Sequence, residues 1–267
     1  MTSGWQSCCV ATGGHQVEYL CTGSGDPMVF LPSMARSARD FLAVGELIAA
    51  RGWRAIAVEP RGIGGSTGPL EGMTLFDMAE DVAAVIREVG DTAIVVGHAF
   101  GNWVARGLAV RHPELVRAVV LAAASREGAV GPELRRALAA CHDTGLDRAE
   151  RLRHLQRLFF APGSDATCWL VGWHAEVAPF QRAAGDRTPR ALWRSGGRSV
   201  PLLDLQGDCD PTCPAELAGQ YRNAFGADRV TVALIAGASH AMFPEHPVEV
   251  AAALAAFATK LDASRAS

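Results

Sequence analysis

The 267-residue sequence predicts an α/β protein: a doubly wound, mostly parallel sheet with an inserted helical cap. Three observations carry that expectation. Short apolar runs such as Met28-Val29-Phe30-Leu31 and Ala93-Ile94-Val95-Val96 have the length and composition of strands buried on both faces. Stretches of helical periodicity separate them, the alternation that joins parallel strands through crossover helices. The rhythm lapses over residues 125–199 and resumes at Val200. The expected organisation is therefore a core of residues 1–124 and 200–267 around a cap of residues 125–199.

Composition narrows the function classes. A hydrophobic content of 49% supplies a large core and excludes a disordered chain. With 25 Lys and Arg against 28 Asp and Glu, there is no basic footprint for nucleic acid. Arg148, Arg151, Arg153 and Arg157 are interleaved with Leu and His at helical spacing and read as a solvated helix face. No uncharged apolar run reaches about 18 residues, so no membrane span is expected. Residues 1–10 lack the basic-then-apolar pattern of a secretory signal. The seven cysteines are odd in number and scattered, which fits a reducing, cytoplasmic compartment. Cys209 and Cys213 have no second Cys/His pair at zinc spacing, so no metal site is expected.

In chain order, residues 15–20 alternate as a strand and residues 22–27 are dense in turn formers, which predicts a hairpin into 28–31. Phe41, Leu42, Val44, Leu47 and Ile48 recur at helical spacing. A second buried strand, 53–58, enters the turn 59–66. Thr74 and Asp77 form a capping-box pattern for a helix over 75–89, and Gly90 stops it. A strand at 93–96, a glycine-bounded turn at 97–101 and a helix at 102–111 precede another strand at 116–122. The inserted segment reads as helices, including 133–141 and 149–160. Its Trp169, Trp173, Phe180 and Trp193 are expected to pack cap against body, with Trp169 and Trp173 the candidates for a substrate-pocket wall. Strands at 200–205 and 230–235, helices at 215–225 and 247–261, and a frayed tail at 262–267 complete the chain.

Four stretches carry chemistry. Gly97-His98-Ala99-Phe100-Gly101 has the outline of the G-x-S-x-G nucleophile elbow, with alanine in the middle. Arg61-Gly62-x-Gly64-x-Ser66, Gly207-x-x-Asp210-x-x-x-Pro214 and Gly237-x-x-His240, with Glu245-x-Pro247 beyond, each follow a strand. On these motifs, in this order and over nearly its whole length, the chain resembles a capped, serine-hydrolase-like member of the α/β-hydrolase fold superfamily. The resemblance implies an eight-stranded sheet, a small-molecule substrate and no cofactor, and it leaves a homodimer open. It places nucleophile, acid and histidine at Ala99, Asp210 and His240. Asp208 competes for the acid role, but the Gly-x-x-Asp spacing favours Asp210.

The same resemblance implies an oxyanion hole made by the backbone N–H groups of Met34 and Phe100. Relatives commonly have His-Gly before the loop donor; here Pro32-Ser33 stands there, which puts the Ser33 hydroxyl near the pocket. Arg61 either binds a substrate anion or ties loops together with its donor fork, the latter being the commoner use. His98 is expected to pack beside the elbow.

A methyl group cannot attack a carbonyl, so Ala99 leaves three readings. The chain is a serine hydrolase with its nucleophile replaced, or a catalyst that uses Asp210-His240 as an acid/base pair without it. The third is a non-catalytic small-ligand binder. The retained acid and histidine favour an enzyme. The aromatic cap points to a small, largely apolar ester, amide, lactone or activated C–C bond. Haloalkane dehalogenase and epoxide hydrolase chemistry are disfavoured, because those relatives carry a carboxylate at the elbow.

Overall fold

The computed structural model describes residues 4–90, 92–124, 138, 140–141, 143 and 145–266. Eight strands form one sheet in the order β1-β2-β4-β3-β5-β6-β7-β8. They are β1 (Gln6–Thr12), β2 (His15–Gly23), β3 (Pro27–Leu31), β4 (Arg54–Val58), β5 (Ala93–His98), β6 (Val116–Ala122), β7 (Leu202–Gly207) and β8 (Val230–Ile235). β2 is antiparallel to β1 and β4, and every other pair is parallel.

The hairpin expected between β2 and β3 does not form. β2 pairs with β1 and β4, while β3 lies between β4 and β5. All five residues of β3 are buried, which suits the middle of a sheet rather than a hairpin arm. The real hairpin joins β1 to β2 through Gly13 and Gly14, whose φ values of 55° and 82° match a two-residue primed turn.

Helices cover both faces. Val29 and Leu31 point toward α2 (Leu75–Val89) and α3 (Gly101–Arg111), and Met28 and Phe30 toward α1 (Leu42–Ala49) and α9 (Pro247–Ala266). α2 shows why the sequence folds this way. Thr74 and Asp77 cap each other's backbone groups, Leu75, Met78, Val82 and Ile86 are buried along one face, and Gly90 closes the helix at φ 83°.

Between β6 and β7 the described residues contain helices and no strand: α4 (Arg148–Phe159), a 3-10 turn (Ala166–Leu170), α5 (Ala178–Arg187) and α6 (Arg190–Trp193). The helix expected at 133–141 lies largely outside the described residues. The helix expected at 215–225 is broken: a 3-10 turn (Ala215–Leu217) is separated from α7 (Gln220–Phe225) by Gly219 at φ 87°. After β8, the short α8 (Met242–Glu245) leads into α9. The tail expected to fray continues α9 to Ala266, and Asp262 on it pairs with Arg117 of β6. No helix among the described residues is long and apolar enough to cross a membrane.

Candidate active site

Ala99 stands at the apex of the turn between β5 and α3, at φ 46°. An L-residue pays roughly 1–2 kcal/mol for that conformation, so the surroundings must enforce it. Gly97 and Gly101 are the enforcers. A Cβ on Gly101 would sit 2.3 Å from the Leu31 carbonyl, and one on Gly97 would sit 2.4 Å from Asn102 Cα. The Ala99 amide donates to the Ala122 carbonyl at 2.9 Å, and its own carbonyl accepts from both the amide and Nδ2 of Asn102. Behind it, Arg106 Nη2 donates to Asn102 Oδ1 at 2.5 Å, and the buried guanidinium stacks on Trp193 and Tyr221. Among the described residues, the non-glycine positions with positive φ are Ala35, Ala99 and Ala123, which follow the carboxyl ends of β3, β5 and β6. Strain is thus concentrated at one rim of the sheet.

The loops after β7 and β8 meet beside this turn. A Cβ on Gly207 would lie 2.3 Å from the Ala238 carbonyl, so glycine permits backbone-to-backbone contact there. The two aspartates point in different directions. Exposed Asp208 accepts from the Gly237 amide at 2.8 Å, whereas Asp210 is buried with Oδ2 3.0 Å from His240 Nδ1. The amide and hydroxyl of Thr212 each donate to Asp210 Oδ1 at 2.7 Å. Burial opposes ionisation of Asp210, but His240 and the Thr212 donors outweigh it and hold the carboxyl below its ordinary range. A carboxylate facing Nδ1 fixes the His240 proton there and leaves Nε2 as the basic nitrogen. Nε2 has no hydrogen-bond partner among the described residues.

His98 does more than pack. Its Nε2 donates to the His240 carbonyl at 2.8 Å, which ties the histidine loop to the end of β5. Burial, with the neighbouring His240 adding to it, pushes the His98 pKa down to about 3, so the ring is neutral.

On the other side lies the loop after β3. The Met34 and Phe100 amides donate to no acceptor among the described residues, while the adjacent Ala35 amide donates to Gln181 Oε1 of α5 at 2.7 Å. The Ser33 carbonyl accepts from the Arg36 amide at 3.1 Å, so Ser33 closes a turn. Arg36 then clasps the inserted helices. Its guanidinium lies 4.7 Å from the ring centroids of both Trp169 and Trp173, bonds both oxygens of Asp40, and donates to the Val171 carbonyl.

Trp169 sits 6.2 Å from His98, while Trp173 packs edge-on against Trp169 and lies 6.1 Å from Phe159, one ring further from the histidines. Phe159, not foreseen, lies nearer, with its ring 5.1 Å from that of His240. Two links bind the histidine loop to the end of α4. The Ala241 amide donates to the Phe159 carbonyl at 2.8 Å, and Glu245 accepts from the Ala161 and Ser239 amides at 2.7 and 2.8 Å. Trp193 stacks on Trp103 and Phe180 packs on the α2–α3 side of the core, so these two are packing residues.

Arg61 is fully engaged in structure. Its Nε and Nη2 bond Asp81, Nη2 also reaches the Asp77 carbonyl, and Nη1 the Pro69 carbonyl. Cys209 is exposed and Cys213 is buried, and neither is in a disulfide. Among the described residues no group of three His, Cys, Asp or Glu side chains is placed to hold a metal ion.

A mostly parallel sheet whose carboxyl rim gathers a strained elbow, a buried carboxylate on an imidazole, and two open amides defines a hydrolase-type α/β architecture. A model of the Alpha/beta hydrolase family matches residues 28–253, and the chain belongs to that family. It is 33% identical over 104 residues to a soluble epoxide hydrolase of Corynebacterium sp. (strain C12), covering 39% of this chain and 36% of the relative. It is 35% identical over 99 residues to a 2-(acetamidomethylene)succinate hydrolase of Mesorhizobium japonicum, covering 37% and 35%. These curated relatives are thus matched over less than half of their length. A bromoperoxidase from Bacillus anthracis shares the fold with a TM-score of 0.77 at 21% identity, over 95% of this chain and 100% of that one.

Proposed function

We propose that the chain is an enzyme of the α/β-hydrolase fold in which Asp210 and His240 form the acid/base pair and Ala99 occupies the nucleophile position. The observation that carries this reading is the 3.0 Å contact between Asp210 Oδ2 and His240 Nδ1, with Nε2 unpartnered. His240 Nε2 takes a proton from water or from the substrate. The imidazolium so formed is stabilised by the Asp210 carboxylate, and returns the proton to the leaving group. The Met34 and Phe100 amides hold the negative charge that develops on the substrate oxygen, a role in which one donor is worth about 10²–10³ in kcat.

In this proposal residues 125–199 are a cap, and Phe159, Trp169 and Trp173 form an aromatic wall. That wall suits a small, largely apolar substrate with an ester, amide, lactone or activated C–C bond. Ring-opening of an epoxide by a carboxylate at the elbow is disfavoured, because Ala99 offers none. That none of the seven cysteines is in a disulfide supports a cytoplasmic setting. The retained elbow strain favours a second reading of the same site, a serine hydrolase whose nucleophile has been exchanged for alanine.

A panel of esters, amides, lactones and diketones run on this chain, Ala99→Ser and His240→Ala separates the readings. Turnover without a covalent adduct, abolished in His240→Ala, supports direct acid/base chemistry. A burst confined to Ala99→Ser supports the exchanged nucleophile. Ligand retained and released unchanged by all three proteins would leave a binder and refute the enzyme.

A further inference from the structure

The peptide unit that joins Ala99 to Phe100 has two ends with different partners. Its N–H, on Phe100, donates to no acceptor among the described residues. Its carbonyl, on Ala99, points the opposite way, because a trans peptide holds C=O and N–H antiparallel in one plane. Whatever fixes the carbonyl therefore aims the N–H.

Two donors reach that carbonyl, the Asn102 amide at 3.2 Å and Asn102 Nδ2. A carboxamide can present either end, and Arg106 decides which. A guanidinium has donors and no acceptor, so the carboxamide oxygen must face Arg106 and the NH2 must face Ala99. Arg106 Nη2 meets Asn102 Oδ1 at 2.5 Å, and its Nε lies 3.4 Å from the Asn102 carbonyl. Asn102 is 0% and Arg106 1% exposed, so bulk water does not compete for these bonds.

A guanidinium at that depth is costly unless it is well partnered. Its Nη1 donates to the Arg194 carbonyl at 3.1 Å, and the ring centroids of Trp193 and Tyr221 lie 4.8 and 5.2 Å from its central carbon. Holding the turn needs no charge. The Ala99–Ala122 and Asn102–Ala99 backbone bonds already close it, and an apolar side chain between the two rings would avoid desolvating a cation. What the cation adds is a polarised chain, from guanidinium to carboxamide, from carboxamide to the Ala99 carbonyl, and on to the Phe100 N–H. Each donor in such a chain strengthens the next bond by about 10–30%. Positive charge stands at one end and the open N–H at the other.

We propose, on the reading that the Phe100 N–H is an oxyanion donor, that Arg106 acting through Asn102 is a positioning residue for the oxyanion hole. It aims the Phe100 N–H at the substrate oxygen and strengthens it as a donor. Both side chains act from behind the peptide, without contact to substrate.

The test follows the Phe100 amide by proton–nitrogen NMR in the full chain, Asn102→Ala, Arg106→Met and Arg106→Lys. An amide nitrogen reports hydrogen bonding at the carbonyl before it. In the ligand-free protein the Phe100 nitrogen should move upfield in Asn102→Ala and Arg106→Met, and stay in place in Arg106→Lys, whose ammonium still donates to Asn102 Oδ1. Phenylacetate then supplies an anionic oxygen on an apolar ring. Its affinity should fall about fivefold in Asn102→Ala and Arg106→Met, part of the worth of one charge-assisted bond, and Arg106→Lys should retain it. Asn102→Ala leaves the packing of Arg106 on Trp193 and Tyr221 in place, and keeps the test decisive if Arg106→Met does not fold. A Phe100 amide that ignores phenylacetate in the unaltered chain would refute the oxyanion-hole reading itself. A Phe100 amide that answers phenylacetate there, with nitrogen shift and affinity unchanged in Asn102→Ala and Arg106→Met, would overturn the role of Arg106 alone. So would an equal loss in Arg106→Lys with shifts spread along α3 and α6, which would make Arg106 a packing residue.

Discussion

Asp210 Oδ2 lies 3.0 Å from His240 Nδ1, and Thr212 reaches the other carboxylate oxygen with both its amide and its hydroxyl. The carboxylate is buried, charged and pointed, which fixes the imidazole tautomer before any substrate arrives.

Asp210→Asn removes the charge and favours the wrong tautomer. Turnover should drop by about 10³–10⁴ with the fold intact, as judged by near-UV circular dichroism. A loss below tenfold would remove Asp210 from the chemistry.

His98 makes stability depend on pH. Its folded-state pKa is lowered to about 3, so the unfolded chain binds the extra proton first. The stabilising contribution is complete above the unfolded value of about 6.5 and is lost as pH falls from there toward 3. Between pH 8 and pH 5 the loss should be about 2 kcal/mol. Urea unfolding of the native chain and His98→Gln at both pH values measures it: the stability difference between them should shift by that amount.

Gly101 abuts the Leu31 and Pro32 carbonyls, which cannot move aside as a side chain would. Gly101→Ala should cost about 3 kcal/mol and lower Tm by several degrees. An unchanged Tm would show that the junction has slack.

Arg36→Lys keeps the charge and forfeits the planar fork on Asp40 together with the stack between Trp169 and Trp173. Stability should fall by about 1–2 kcal/mol, and amide exchange should quicken over the 166–174 segment.

The parts of the molecule legible in the sequence were those specified locally. The apolar runs of β3, β5 and β6 announce buried strands, Thr74 and Asp77 announce a helix start, and the glycines at 97 and 101 announce the turn that bears Ala99. Asp210 and His240 were legible because each follows a strand at a motif spacing. β1 was not, because Gln6, Ser7 and Cys9 face solvent at an edge where no apolar alternation is required. Phe159, Arg36 and Gln181 escaped for another reason. The Gln181–Ala35 bond joins residues 146 apart, and no local pattern encodes such a meeting. Thr212 lay within a recognised motif, but its two donations to Asp210 depend on how that loop turns.

The links from the end of α4 to Ser239 and Ala241 bracket His240 on both sides. Asp210 and Thr212 hold the imidazole itself, and the helix end holds the backbone on either side of it. The position of that helix end and that of the imidazole are therefore coupled through the backbone.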